Sequence, residues 1–161
     1  MVQISTNNET NDKSTIIELN LSNNNLTELI DLSEYTNLKY IDCSKNKLTS
    51  LPELPNTIEK LYCSNNQLTS LPKLPNTLKE LYCDNNKLIF LPELPQSLTD
   101  LYCYNNQLSS LPELPNYLKD LFCYNNQLTY LPELPISLKT LFCYKNQLQY
   151  NNLTEYKKWI S

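Results

Sequence analysis

Residues 71–90 read LPKLPNTLKELYCDNNKLIF, and residues 91–110, LPELPQSLTDLYCYNNQLSS, return to the same frame. Cysteines fall at 43, 63, 83, 103, 123 and 143, a strict 20-residue period. Self-similarity at such a period is the mark of a stacked repeat architecture. Around each cysteine lies L-x-x-L-x-C-x-x-N-x-L, as in Leu78, Leu81, Cys83, Asn86 and Leu88. These copies begin at Leu38, Ile58, Leu78, Leu98, Leu118 and Leu138. A seventh, earlier copy begins at Ile16, 22 residues before the next, and has Leu21 in the cysteine slot.

Within one copy, Leu81-Tyr82-Cys83 alternates inward and outward, the period of a short strand. Successive copies stack such strands in parallel about 4.8 Å apart, so seven line an inner arc of roughly 30 Å. Leu78, Leu81, Cys83, Leu88, Leu91 and Leu94 form a layer that no single repeat can bury alone. The return side carries LPELP at 51–55, 91–95, 111–115 and 131–135, and LPKLP at 71–75. Proline fixes φ and pushes the preceding residue out of the helical region. Two prolines three apart therefore predict an extended, polyproline-II back in place of a helix.

The run LPxLPxxLxxLxCxxNxL resembles the leucine-rich-repeat family in its short, 20-residue LPx subclass. That subclass occurs in bacterial effectors of the YopM and IpaH type. The Cys-, Asn- and Tyr-rich variant, as in LPNTLKELYCDNNKL, is also similar to repeat proteins of giant DNA viruses of the Mimivirus kind. The resemblance covers about residues 16–148 and implies a leucine-rich-repeat solenoid: parallel strands on the concave face and an extended convex side. It implies protein binding in general and no particular partner. The first copy departs from it, with Ile30-Asp31-Leu32 in place of the proline motif. No helical hairpin precedes the repeats and no ligase domain follows them, so that enzyme activity is not carried over.

Composition narrows the function classes. Glycine and histidine are both absent, while ten of the 161 residues are proline. Without glycine, asparagine is the residue expected to supply left-handed turns. Without histidine, the commonest acid/base residue and metal ligand is missing, which argues against an enzyme. Net charge is −4, with acids and bases interleaved and no basic stripe, so nucleic acid is not an expected partner. Met1–Thr15 has no apolar core of a signal peptide, and no apolar run reaches the ~20 residues of a membrane helix. These features predict a cytoplasmic protein with neither membrane nor cofactor.

The ends and ladders read as structure. Residues 1–15 form a polar segment in which Val2 and Ile4 suit a capping strand and Asn7–Lys13 looks disordered. Residues 16–148 hold the seven repeats, and 149–161 a cap. There Leu153, Tyr156 and Ile160 recur at helical spacing behind Asn152 as N-cap, predicting a short helix whose apolar face closes the last repeat. The cysteine column invites disulfide, redox or metal readings, but each thiol occupies an inward slot that suits a small hydrophobe. In-register neighbours also lack the geometry of a disulfide or of a tetrahedral metal site. Asn24, Asn46, Asn66, Asn86, Asn106, Asn126 and Asn146 are expected to bridge turns by hydrogen bonds to buried backbone.

Outward positions remain for function. The central row is Asn20, Asp42, Tyr62, Tyr82, Tyr102, Phe122, Phe142. The row two residues later is Ser22, Ser44, Ser64, Asp84, Tyr104, Tyr124, Tyr144. The row two residues earlier is Glu18, Tyr40, Lys60, Glu80, Asp100, Asp120, Thr140. The C-terminal half thus presents two aromatic columns beside an acidic edge of Glu80, Asp100 and Asp120. Aromatics dominate interaction hot spots, and a contiguous patch of them marks a recognition surface. The expected function is non-catalytic capture of an intracellular protein partner on the concave face. Self-association through the same aromatics, from a monomer or a weak oligomer, is the alternative, and plain cross-strand packing is the bland one.

Overall fold

The paired prolines deny each return segment the hydrogen bonds of a helix. In the computed structural model, which describes residues 12–160, no helix separates one repeat strand from the next. Seven three-residue strands follow one another: β1 (Glu18–Asn20), β2 (Tyr40–Asp42), β3 (Lys60–Tyr62), β4 (Glu80–Tyr82), β5 (Asp100–Tyr102), β6 (Asp120–Phe122) and β7 (Thr140–Phe142). A single α-helix, α1 (Leu153–Trp159), comes last. The strands form one parallel sheet in chain order, in strict register, so that Leu61, Leu81 and Leu101 are neighbours. The result is a leucine-rich-repeat solenoid.

Its interior is a stack of identical layers. Leu78, Leu81, Cys83 and Leu88 are fully buried, and Leu91 and Leu94 nearly so. Each such leucine contributes about 2 kcal/mol by leaving water, but only because the neighbouring turns cover it. The six thiols are free and buried. Burial, the largest cause, pushes the Cys43 and Cys143 thiols up to about 12 and the other four upward as well. Since the thiolate is the reactive species, native protein at pH 8 should resist a thiol reagent until denatured. Fast modification of all six in the native state would contradict this.

Two ladders stitch the turns together. Asn66 donates to the Cys43 and Cys63 carbonyls at 3.0 and 3.1 Å and accepts from the Leu48 amide at 3.0 Å. The same pattern recurs at Asn86, Asn106, Asn126 and Asn146. Among the described residues the Asn24 side chain donates only to the Ser22 carbonyl, within its own turn. A second ladder, which the sequence reading missed, runs on the return side. There Thr57, Thr77, Ser97 and Ser137 donate hydroxyls to backbone carbonyls of the preceding turn. Tyr117 breaks that series and is exposed.

The left-handed turns fall one residue before the ladder asparagine, with φ near 55° at Asn65, Asn85, Asn105 and Asn125. Asparagine supplies most of these turns, as expected, and lysine takes the same conformation at Lys45 and Lys145. The cost of about 1–2 kcal/mol for a residue with an ordinary Cβ is borne because the flanking strand and ladder fix the backbone there.

The ends differ from each other. The capping strand expected at Val2 and Ile4, and Asn7 with the residues up to 11, lie outside the described residues. Asp12 and Lys13, expected to be disordered, are ordered instead. Asp12 caps a 3-10 turn at Lys13–Thr15, and Lys13 pairs with Glu34 at 2.5 Å. At the other end the Asn152 side chain accepts from the Glu155 amide and caps α1. Leu153 and Tyr156 pack on the core, but Ile160 is exposed. The helix stops at Trp159, so the apolar face expected to include Ile160 is one turn shorter. Much of the closure comes from Tyr150, which is buried among the rings of Tyr156 and Trp159.

Candidate functional site

The sheet register places the outward side chains of each repeat directly beside those of the next. Parallel strands stand about 4.8 Å apart, close to the stacking distance of aromatic rings, so neighbouring rings in one slot stack face to face or lean together at about 40°. Tyr62 and Tyr82 have centroids 4.4 Å apart, Tyr82 and Tyr102 4.3 Å, and Tyr102 and Phe122 4.4 Å. Phe122 and Phe142 follow at 5.1 Å. The second column joins Tyr104 to Tyr124 at 4.4 Å and Tyr124 to Tyr144 at 4.5 Å. Tyr40, not among the predicted site residues, meets Tyr62 edge-on at 5.2 Å. It was missed because it sits in the charged row, and laying the three rows side by side would have found it.

Stacking decides what a partner would meet. Because the rings cover one another's faces, all of these side chains except Phe142 are half-buried. Phe142, at the open end of its column, is 41% exposed. The surface on offer is therefore a row of ring edges and hydroxyl groups. One hydroxyl has a fixed partner: Tyr62 donates to Glu80 at 2.6 Å. Burial, the largest cause, together with the neighbouring Tyr102 and Glu80 raises the Tyr82 phenol to about 12, so that phenol is neutral at physiological pH.

The acidic residues divide into two kinds. Glu80 accepts from Lys60 at 2.8 Å and from the Tyr62 hydroxyl at 2.6 Å. Burial alone would raise its pKa, but those two hydrogen bonds outweigh it and hold the carboxyl below its usual value. Asp84, read in sequence as an outward position near that edge, is only 4% exposed and accepts from Ser64 and Asn85, each at 2.6 Å. It holds the slot one repeat before Tyr104, across the central row from Asp100 and Asp120. Asp100 and Asp120 are register partners on β5 and β6, and among the described residues neither makes a salt bridge.

Asp100 is raised above the ordinary aspartate value, chiefly by burial, and then by Asp120 and Glu80 against the opposing hydrogen bond from Thr99. A carboxyl whose folded pKa is raised favours the fold when protonated, and that contribution is lost as pH rises through the folded value. Asp100→Asn should therefore raise the melting temperature at pH 7 and leave it unchanged at pH 3. A gain of equal size at both pH values would show that charge is not the cause.

Grooves also lie between successive proline turns on the return side. One, bounded by Leu114, Pro132, Leu134, Pro135 and the fully exposed Ile136, measures about 730 Å³. Equivalent gaps recur around Leu74 and Leu94. A gap that reappears wherever two proline turns meet follows from the repeat itself, so we give the concave face precedence. Among the described residues no His, Cys, Asp or Glu group is arranged to hold a metal ion. Nor is any helix there long and apolar enough to cross a membrane.

With this geometry in place, the chain is compared with known proteins. A model of leucine-rich repeats in two copies matches residues 14–56 and 57–96, more than half of the chain. No curated protein sequence matches. Among solved structures, YopM from Yersinia enterocolitica superposes with a TM-score of 0.82 at 42% identity, over 85% of this chain and 31% of that one. YopM from Yersinia pestis, described as a leucine-rich effector, gives 0.75 at 38% identity, over 81% and 43%. A Shigella effector leucine-rich-repeat domain gives 0.78 at 38% identity, over 85% and 62%. The chain thus spans less than two thirds of each of these proteins. The 20-residue frame, the in-register parallel sheet and these likenesses agree: the chain belongs to the leucine-rich-repeat family.

Proposed function

We propose that the chain is a non-catalytic interaction module that captures a partner protein on its concave face. The observation that carries this reading is the contrast between inside and outside in one set of repeats. Inward slots stay constant from repeat to repeat, with leucine and cysteine fully buried. Outward slots change from Asn20, Ser22 and Ser44 to a continuous aromatic band on β4–β7. Packing of the interior does not demand that change. Aromatic surface gathered on one concave face is the composition of recognition sites. An open arc without histidine offers no enclosed pocket for catalysis, which supports a binding role. Six buried free thiols suit a reducing, intracellular setting. In this reading residues 16–148 are the binding array, 149–161 its cap and 1–15 an accessory segment.

The test needs variants that leave the fold alone. Tyr104 neighbours the buried Asp84 one repeat on, so Tyr124→Ser with Tyr144→Ser is the cleaner pair, and it restores the residue that earlier repeats carry in that slot. Ser64 donates to Asp84, so the control pair is Ser22→Ala with Ser44→Ala. A pull-down with the intact chain should identify the partner, the tyrosine pair should lose it, and the serine pair should keep it. Equal capture by both would place the site off the aromatic columns. Light scattering addresses self-association through the same face: a mass that grows with concentration and reverts in the tyrosine pair would replace this reading.

A further inference from the structure

The concave rows of β4–β7 and the residues just after them hold twelve outward positions. Four are carboxylates (Glu80, Asp84, Asp100, Asp120) and none is basic. On this face Lys60 reaches Glu80, and Asp84 accepts from Ser64 and Asn85. Asp100 accepts from the Thr99 hydroxyl, and among the described residues neither it nor Asp120 makes a salt bridge. They face each other across β5 and β6 at one strand spacing, an arrangement of like charges that destabilises a sheet. Lys119 directly precedes Asp120, yet among the described residues it makes no salt bridge to it.

We propose that the partner docks on β4–β7 with a basic segment, seating lysine or arginine side chains against Asp100 and Asp120. This inference rests on the concave-face reading and specifies its partner chemistry. A face lined by one sign of charge focuses its field on the opposite sign. A guanidinium is wide enough to bond both carboxylates at once, which removes the repulsion that the free protein carries. Beside the pair, Tyr102 and Phe122 present a half-buried apolar wall against which the alkyl stem of a long cationic side chain packs. Because the ring faces are covered by their neighbours, the columns do not serve as stacking platforms for a sugar or a base.

The probe is a peptide of nine arginines, titrated into the full chain while backbone amide shifts are recorded. Shifts should concentrate on residues 100–104 and 120–124, and binding should weaken steeply as salt is added. Asp100→Asn with Asp120→Asn should weaken it by about tenfold or more. Glu113→Gln with Glu133→Gln removes the same charge from the return side and should change it by less than about twofold. Equal losses for the two pairs, shifts centred elsewhere, or no binding at low salt would each overturn the proposal. The wild-type shift map and salt dependence decide the matter even if a variant folds poorly. If the tyrosine pair loses the captured partner while nona-arginine ignores the face, the interaction reading stands and the basic partner falls. If the tyrosine pair also keeps the partner, both fall.

Discussion

Replacing Asn86 by alanine is expected to lower the unfolding free energy by about 1–3 kcal/mol. The amide nitrogen donates to the Cys63, Cys83 and Asp84 carbonyls at 3.1, 3.1 and 3.2 Å, and the oxygen accepts from the Leu68 amide at 2.9 Å. Alanine leaves the Leu68 amide without its acceptor in a part-buried layer, which costs about 1–3 kcal/mol, while the carbonyls keep Asn66, Asn106 and the Asn65 amide as donors. Because every repeat relies on its neighbours, a break in the middle divides the array into two weaker halves. Aspartate at the same place would keep an acceptor but lose the donors, so Asn86→Asp should destabilise comparably. Urea denaturation measures both, and a transition midpoint unchanged within error would refute the ladder as a source of stability.

The second large effect is expected from deleting residues 150–161. Tyr150 is buried, the Asn151 carbonyl accepts from the Cys143 amide at 2.9 Å, and Asn152 bridges back to Phe142 in antiparallel fashion. This segment therefore occupies the open edge of β7, where another strand would otherwise pair. Its removal uncovers Leu141 and Cys143 together with that edge. The truncated chain should lose cooperativity of unfolding and form larger species as concentration rises, observable by light scattering with parallel thermal melts. A truncation that stays monomeric with the same melting temperature would show that the last repeat closes itself.

The repeat frame was legible because one slot holds cysteine in six successive copies and sets the phase of every other position. From that phase the strand positions, the buried leucines and the asparagine ladder follow directly. Side-chain conformation did not follow. The rows named the aromatics, but periodicity does not state that rings one strand apart turn parallel and hide their faces, as Tyr102 and Phe122 do. Asp84 was misplaced for a related reason, since its burial depends on Ser64 and Tyr104 from neighbouring turns. The Thr57, Thr77, Ser97 and Ser137 ladder was present in the same 20-residue register. It was passed over because hydroxyl residues also fill solvent-facing turns. Lys45 and Lys145 show the limit of composition, where position in the turn overrides intrinsic preference.

The central claim, that a partner sits on the concave aromatic band, is tested most directly by hydroxyl-radical footprinting of the captured complex. Tyr117 and Tyr130 serve as internal references, because they are 69% and 58% exposed and lie outside the concave rows. On binding, oxidation of Phe142, Tyr144 and Tyr124 should fall several-fold while Tyr117 and Tyr130 keep their rates. Protection of Tyr117 and Tyr130 with unchanged rates at Phe142, Tyr144 and Tyr124 would contradict the account and move the site to the return side.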